Sequence, residues 1–129
     1  MIAVDTSALM AILQDESETV ACAEALATDD RIVISAVTVA EALVAAGRRG
    51  LGSEMARLID GLALEVVSVS SAVAERVAGI HAQWGRGVHP AGLNLGDCFA
   101  YEVAKTRDCP LLYVGADFAR TDIESATRK

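Results

Sequence analysis

MIAVDTSALMAIL, residues 1–13, holds one charge, Asp5, between two apolar segments of different character. Ile2, Ala3 and Val4 read as a short strand that ends at Asp5. Thr6 or Ser7 then caps a helix that runs through Leu13. A strand that ends in an acid and turns at once into a helix is the opening unit of a parallel α/β sheet. The same isolation of one acid recurs three times. Ile32 to Gly47 holds only Glu41, Gly87 to Tyr101 only Asp97, and Cys109 to Ala119 only Asp117. A carboxylate withdrawn from water must be paired, hold a metal or shift its pKa. None of the four stretches contains Lys or Arg, so a shared divalent cation is the economical compensation.

Outward from this unit the alternation continues. Glu18 to Ala27 reads as an Ala-rich helix and Arg31 to Ile34 as a second strand. Ser35 caps a helix over Ala36 to Arg49, which stops near Gly50 and Gly52. Ser53 to Gly61 suits a short helix, Ala63 to Val69 a β-branched strand, and Ser70 to Trp84 a further helix. The turn-rich segment Gly85 to Gly92 follows, then a helix capped by Asn94 from Leu95 to about Asp108, and a last strand over Pro110 to Val114. Strands alternating with helices predict a parallel sheet wrapped by helices.

Composition narrows the class. At 129 residues the chain is the size of one domain, 1–129, with a polar tail from about Thr121 expected to be loose. Hydrophobic residues make up 53% but aromatics only 4%, so the core is built from small aliphatic side chains in close layers. No apolar run reaches the roughly 18–20 residues of a bilayer span, and no basic leader precedes the first apolar segment. Cys22, Cys98 and Cys109 are an odd set without a CxxC pair, which argues against a disulfide framework and against zinc. A cytoplasmic protein is expected. The net charge of −7 opposes coating by nucleic acid, so a nucleic-acid substrate must be gripped locally.

At a parallel sheet, ligands gather beyond the carboxyl ends of the strands. Asp5 ends the first strand, Asp97 lies in the first turn of a helix, and Asp117 follows the last strand. Glu41 shares a helix face with Val37, Ala40 and Val44, which points it inward with apolar neighbours. Oxygen-only ligands suit Mg²⁺ or Mn²⁺. Such a cluster is the apparatus for in-line attack of water on a phosphodiester, with no covalent nucleophile needed. Thr6, Ser7 and Asn94 are placed to hydrogen-bond substrate near helix N-termini.

These residues carry a family resemblance. Val4 to Leu9, Ala40-Glu41-Ala42, Leu93 to Tyr101 and Gly115-Ala116-Asp117-Phe118 resemble, in order, the four acidic motifs of the PIN-domain family, and more narrowly its VapC toxins. The resemblance implies a three-layer α/β/α domain around a parallel sheet of about four to five strands. It also implies a Mg²⁺- or Mn²⁺-dependent endoribonuclease, the toxin of a toxin–antitoxin pair. By position, Asp5 and Asp97 would ligate the metal and Glu41 and Asp117 complete the site. The family further implies a homodimer silenced by a VapB antitoxin whose C-terminal segment covers the acids. Two departures stand out: Ala116 occupies a place often held by Asn or Asp, and Glu102 one that is commonly small and apolar, where it adds a carboxylate expected to compete with the site.

Each residue also has a plainer reading. Asn94 and Asp97 form a capping-box pattern, Asp5 suits a turn after a strand, and Asp117 opens a terminal turn. Glu41, in a helix interior, has no capping role. Arg48, Arg49 and Arg86 are phosphate-contact candidates that also suit solvated positions. His81 and His89 read as helix-surface and loop residues, and Trp84 as core. The main rival is a Mg²⁺-binding receiver-type signalling domain. That design wants a phosphorylatable Asp ending a central strand, here taken to end at Val66-Val67-Ser68, and a late Lys in the same pocket.

Overall fold

The computed structural model describes residues 1–127. Strand β1 (Ile2–Val4) leads into helices α1 (Thr6–Leu13) and α2 (Thr19–Thr28), then strand β2 (Ile32–Ser35). Helices α3 (Ala36–Gly47) and α4 (Gly52–Gly61) precede strand β3 (Glu65–Val67). Helices α5 (Ser71–Trp84) and α6 (Leu95–Thr106) precede strand β4 (Leu111–Leu112), and a 3-10 turn spans Phe118–Arg120. The strands are parallel in the order β3-β2-β1-β4.

Side-chain alternation along these short strands divides the interior in two. Ile2, Val4, Ile34 and Leu112 face one way and pack with Leu9, Leu26 and Met55 from α1, α2 and α4. Ala3, Val33 and Leu111 face the other way, onto Val73 and Val77 of α5 and Tyr101 and Val103 of α6. The result is the expected α/β/α sandwich with four strands. Strand order reverses at β1, with β2 on one side and β4 on the other. Such a reversal opens a crevice beyond the carboxyl ends of the strands, and α3 meets α6 beside it.

Several expectations change in detail. The cap of α1 is Asp5 itself, whose Oδ2 accepts from the Ser7 N–H at 3.1 Å, in place of Thr6 or Ser7. The strand expected over Ala63 to Val69 shrinks to Glu65–Val67. Ala63 adopts φ +52°, outside the extended region, and β3 pairs with β2 alone. It is an edge strand, not the central one, and its position is marked by Arg31 clasping Glu65 through two hydrogen bonds of 2.8 and 2.9 Å.

The segment from Thr121 is fixed as far as it is described. Leu111 N–H donates to the Glu124 carbonyl at 2.8 Å, and Ala126 N–H donates back to Leu111 at 3.0 Å. Asp122 accepts from the Tyr101 hydroxyl and, at 3.1 Å, from Lys105. Residues 128–129 lie outside the described residues. Trp84 packs against the core cluster on the α5/α6 side and donates to the Tyr101 hydroxyl at 3.1 Å. His89 braces its loop by accepting from Ala91 N–H at 3.0 Å, and His81 is half-buried on α5.

Glu102 does not compete with the other acids. It is 1% exposed and turns toward α5, where Oε2 accepts from Arg76 Nε and from the Thr106 hydroxyl, both at 2.9 Å. Its Oε1 has no partner, so Arg76 is the cation that makes the burial tolerable. Arg76→Met should therefore cost about 2 kcal/mol in urea unfolding, short of a fully buried pair because Arg76 is half exposed. Glu102→Gln in the Arg76→Met background should recover part of that loss.

Candidate active site

Two helix starts and one helix side converge on the crevice. Asp5 follows β1 and is 5% exposed. Its Oδ2 accepts from both the Ser7 N–H and the Ser7 hydroxyl, the latter at 2.7 Å. The Ser7 oxygen in turn accepts from Val114 N–H at 3.0 Å. Ser7 thus spends its one proton on Asp5 and stitches the end of β1 to the chain leaving β4.

Asp97 completes the predicted capping box. Asn94 Oδ1 accepts from Asp97 N–H at 2.8 Å, and Asp97 Oδ2 accepts from Asn94 N–H at 3.0 Å. The plain reading and the functional one are compatible, because each aspartate makes its cap through Oδ2, and the cap does not use Oδ1. Glu41 comes from the second turn of α3. Its face, with Val37, Ala40 and Val44, is not packed core as the spacing suggested, since Thr38, Ala42 and Ala46 take that role. Val44 is 54% exposed, and this face forms one wall of an open groove.

The groove holds about 610 Å³ and is lined by Asp5, Thr6, Ser7, Glu41, Asn94 and Asp97 at its acidic end. The α3 wall and Arg48 complete it. Arg49 and Arg86, the other phosphate-contact candidates, are not in the lining. Asp117 is exposed and stands outside it too, following Gly115, whose φ of +112° suits only glycine. The charge of Asp117 still reaches Asp5 and Asp97.

Sequence reasoning missed the part played by Gly96. A Cβ at that position would collide with the Glu41 carboxylate, so the bare backbone of α6 is the shelf on which Glu41 lies. The signal was present as a Gly directly before an acid in a first helical turn, but the partner helix was invisible.

Electrostatically the site is frustrated. The Asp97 carboxyl is raised to about 6, chiefly by burial, with the charges of Asp5, Asp117 and Glu41 adding to the rise and the Asn94 N–H opposing it. Burial likewise raises Asp5 against the opposing Ser7 hydrogen bonds. Glu41 is raised by burial and by the Asp5 charge, with the Thr6 hydroxyl opposing. Among the described residues none of the four acids forms a salt bridge.

The comparisons agree with this geometry. The profile of the PIN domain family matches residues 2–124. The chain belongs to the PIN-domain family. Within it, the chain is 42% identical to Ribonuclease VapC28 of Mycobacterium tuberculosis, covering 95% of this chain and 96% of that one. It is 37% identical to Ribonuclease VapC of Mycolicibacterium smegmatis, covering 93% and 95%. Its fold is shared with M. tuberculosis VapC20, described as a sarcin-ricin loop cleaving toxin, at TM-score 0.78 and 15% identity over 95% and 96% of the chains. A toxin–antitoxin complex from Klebsiella pneumoniae gives TM-score 0.72 and 20% identity over 95% and 93%. The PIN assignment displaces the receiver-type rival, though not for the reason first expected. A central strand, β1, does end in an acid, Asp5, but the groove lining contains no Lys.

The PIN resemblance implies metal dependence, and the donor set fits a hard divalent ion: oxygen donors only, mutually repelling, with no protein cation to neutralise them. Among the described residues no three acidic, His or Cys side chains form a ready-made cage.

Gly96→Ala should displace Glu41 and weaken Mg²⁺ binding about tenfold by calorimetry. The thermal midpoint of the metal-free protein should not fall, since Ala favours a helix over Gly.

The raised Asp97 carboxyl sets a second expectation. Its folded pKa lies above the unfolded value, so the folded state holds the proton more tightly and stability falls as pH rises from about 4 to 6. In EDTA the thermal midpoint should drop across that window. Asp97→Asn should flatten the drop, and saturating Mg²⁺ should reverse it in the wild-type protein alone.

Proposed function

We propose that this PIN domain is a Mg²⁺- or Mn²⁺-dependent endoribonuclease and the toxin of a type II toxin–antitoxin pair, working in the cytoplasm. The observation that carries the reading is the convergence of Asp5, Glu41 and Asp97 in one open groove at the strand-order reversal, unpaired by any protein cation. Identity of about 40% to proteins named VapC ribonucleases supports the substrate class.

Asp5 and Asp97 would hold the ion through the oxygens that their caps do not use, each carboxylate oriented by the cap it makes to its own helix. A divalent ion there supplies a lowered water pKa and charge neutralisation at the scissile phosphate. Glu41, steadied on Gly96, would orient the attacking water or assist a second ion, and Asp117, outside the lining, would support it through the charge that reaches Asp5 and Asp97. Thr6 and Asn94 line the groove as substrate contacts; the Thr6 hydroxyl, which lies 3.5 Å from the Thr38 carbonyl it donates to, would have to turn from it to serve as a donor. Ser7 acts by holding Asp5 in position, because its hydroxyl proton is already engaged. The positive ends of α1 and α6 favour an anionic phosphate at this spot.

A VapB-type antitoxin and a second copy of the chain are the proposed partners. Complexes such as the K. pneumoniae toxin–antitoxin assembly and VapBC2 of Rickettsia felis bound to promoter DNA share this fold. Among the described residues no helix is long and apolar enough to cross a membrane.

Asp5→Asn and Asp97→Asn should each abolish cleavage of bacterial RNA in Mg²⁺ or Mn²⁺ while leaving the far-UV circular dichroism spectrum unchanged. Undiminished cleavage by purified Asp5→Asn protein would overturn the assignment. Induction of the wild-type chain alone should arrest growth, and co-expression of a neighbouring antitoxin gene should restore it.

A further inference from the structure

We infer that Arg48 forms a separate phosphate subsite in the groove, taking a phosphate of the RNA strand other than the one at the acids. The inference rests on the ribonuclease reading above. Arg48 caps the C-terminal end of α3 in helical backbone conformation, seven residues after Glu41; two helical turns and about 10 Å of rise separate them, so they lie on nearly the same face. Both line the groove, with the apolar Val44 and Ala45 between them. Acid and cation therefore occupy opposite ends of one trough.

Arg48 is the only cation in that lining. It is exposed and, among the described residues, makes no ion pair or hydrogen bond, even though three unneutralised carboxylates share its groove. A guanidinium aimed at the acids would pair with them; this one stands off. Arg49, one residue on, is engaged: with the Gln14 amide in the orientation that satisfies both its ends, the Gln14 oxygen accepts from Arg49 at 2.7 Å. Lys105, Arg76 and Arg31 are likewise in ion pairs. Arg48 is left as an uncommitted planar donor set, the geometry that recognises a phosphate.

Charge gives the reason for such a subsite. A chain of net charge −7 repels a polyanion overall, and a single ion at the acids grips one phosphate without fixing the direction of the strand. A second anchor two turns away along an apolar floor fixes both register and polarity. This is the work of a positioning contact, which orients the strand without reading its bases.

The test uses an RNA cut by the wild-type protein, selected from total bacterial RNA in Mg²⁺ or Mn²⁺ and shortened to an oligonucleotide. Arg48→Ala should raise KM about tenfold with kcat within about twofold, and flatten the log–log salt dependence of binding by about 0.7, the value of one single-strand phosphate contact. Arg49→Ala, which removes the same charge next door, should change neither. Replacing phosphates one at a time by neutral methylphosphonate should find one position, away from the scissile bond, whose penalty disappears in the Arg48→Ala protein. An unchanged KM in Arg48→Ala, or methylphosphonate penalties that persist in it, overturns the subsite alone. Weakened antitoxin binding with normal RNA kinetics overturns it as well and gives Arg48 to the protein partner. Failure of the wild-type protein to cut any RNA overturns the functional reading and the subsite with it.

Discussion

The whole arrangement depends on carboxylates that are needed in two places at once. Asp5 and Asp97 each finish a helix that would otherwise begin with open N–H groups, and each does so with one oxygen. The remaining oxygens stand in a crevice where burial and neighbouring negative charge oppose ionisation. Helix capping is worth about 1 kcal/mol per end, and it ties one oxygen of each side chain to its own helix start. The fold thereby holds a high-energy charge cluster still until a cation arrives, and orientation needs no flexible loop.

Sheet topology explains why the cluster forms where it does. A strand order that reverses at β1 leaves the ends of β1, β2 and β4 side by side with no helix crossing between them. Ser7 closes this arrangement by joining Asp5 to the backbone at Val114, 107 residues away. A single hydroxyl couples the geometry of the acidic end of the groove to the packing of the last strand. Side-chain alternation in strands of two to four residues then carries both cores, one on each face.

Much of this was legible before any coordinates. Alternating strand and helix periods gave the layer order, and isolated acids in apolar stretches marked Asp5, Glu41, Asp97 and Asp117, because an uncompensated charge in such a context has few uses; the first three share the groove, while Asp117 lies outside its lining. What failed to show was contact at a distance. The β-branched run around Val66 announced a strand but not that it lies at the edge. The spacing of Val37, Ala40, Glu41 and Val44 identified a helix face, yet not that the face borders an open trough. Glu102 looked like a competitor because its partner, Arg76, sits 26 residues earlier on a helix whose docking the sequence does not state. Gly96 was silent for the same reason, since its missing side chain matters only once α3 lies against α6.

The pairing of Leu111 with Glu124 and Ala126 has a consequence for how the molecule meets other chains. It covers the outer side of β4, so backbone groups there are unavailable to a foreign strand. Among the described residues β3 remains as the uncovered margin of the sheet, and it is three residues long with the Arg31–Glu65 charges at its start. Short length and a charged entrance both discourage edge-to-edge stacking. Association through the sheet margins is thereby disfavoured, which leaves side-chain surfaces as the way this domain meets other chains and keeps it from runaway β-polymerisation.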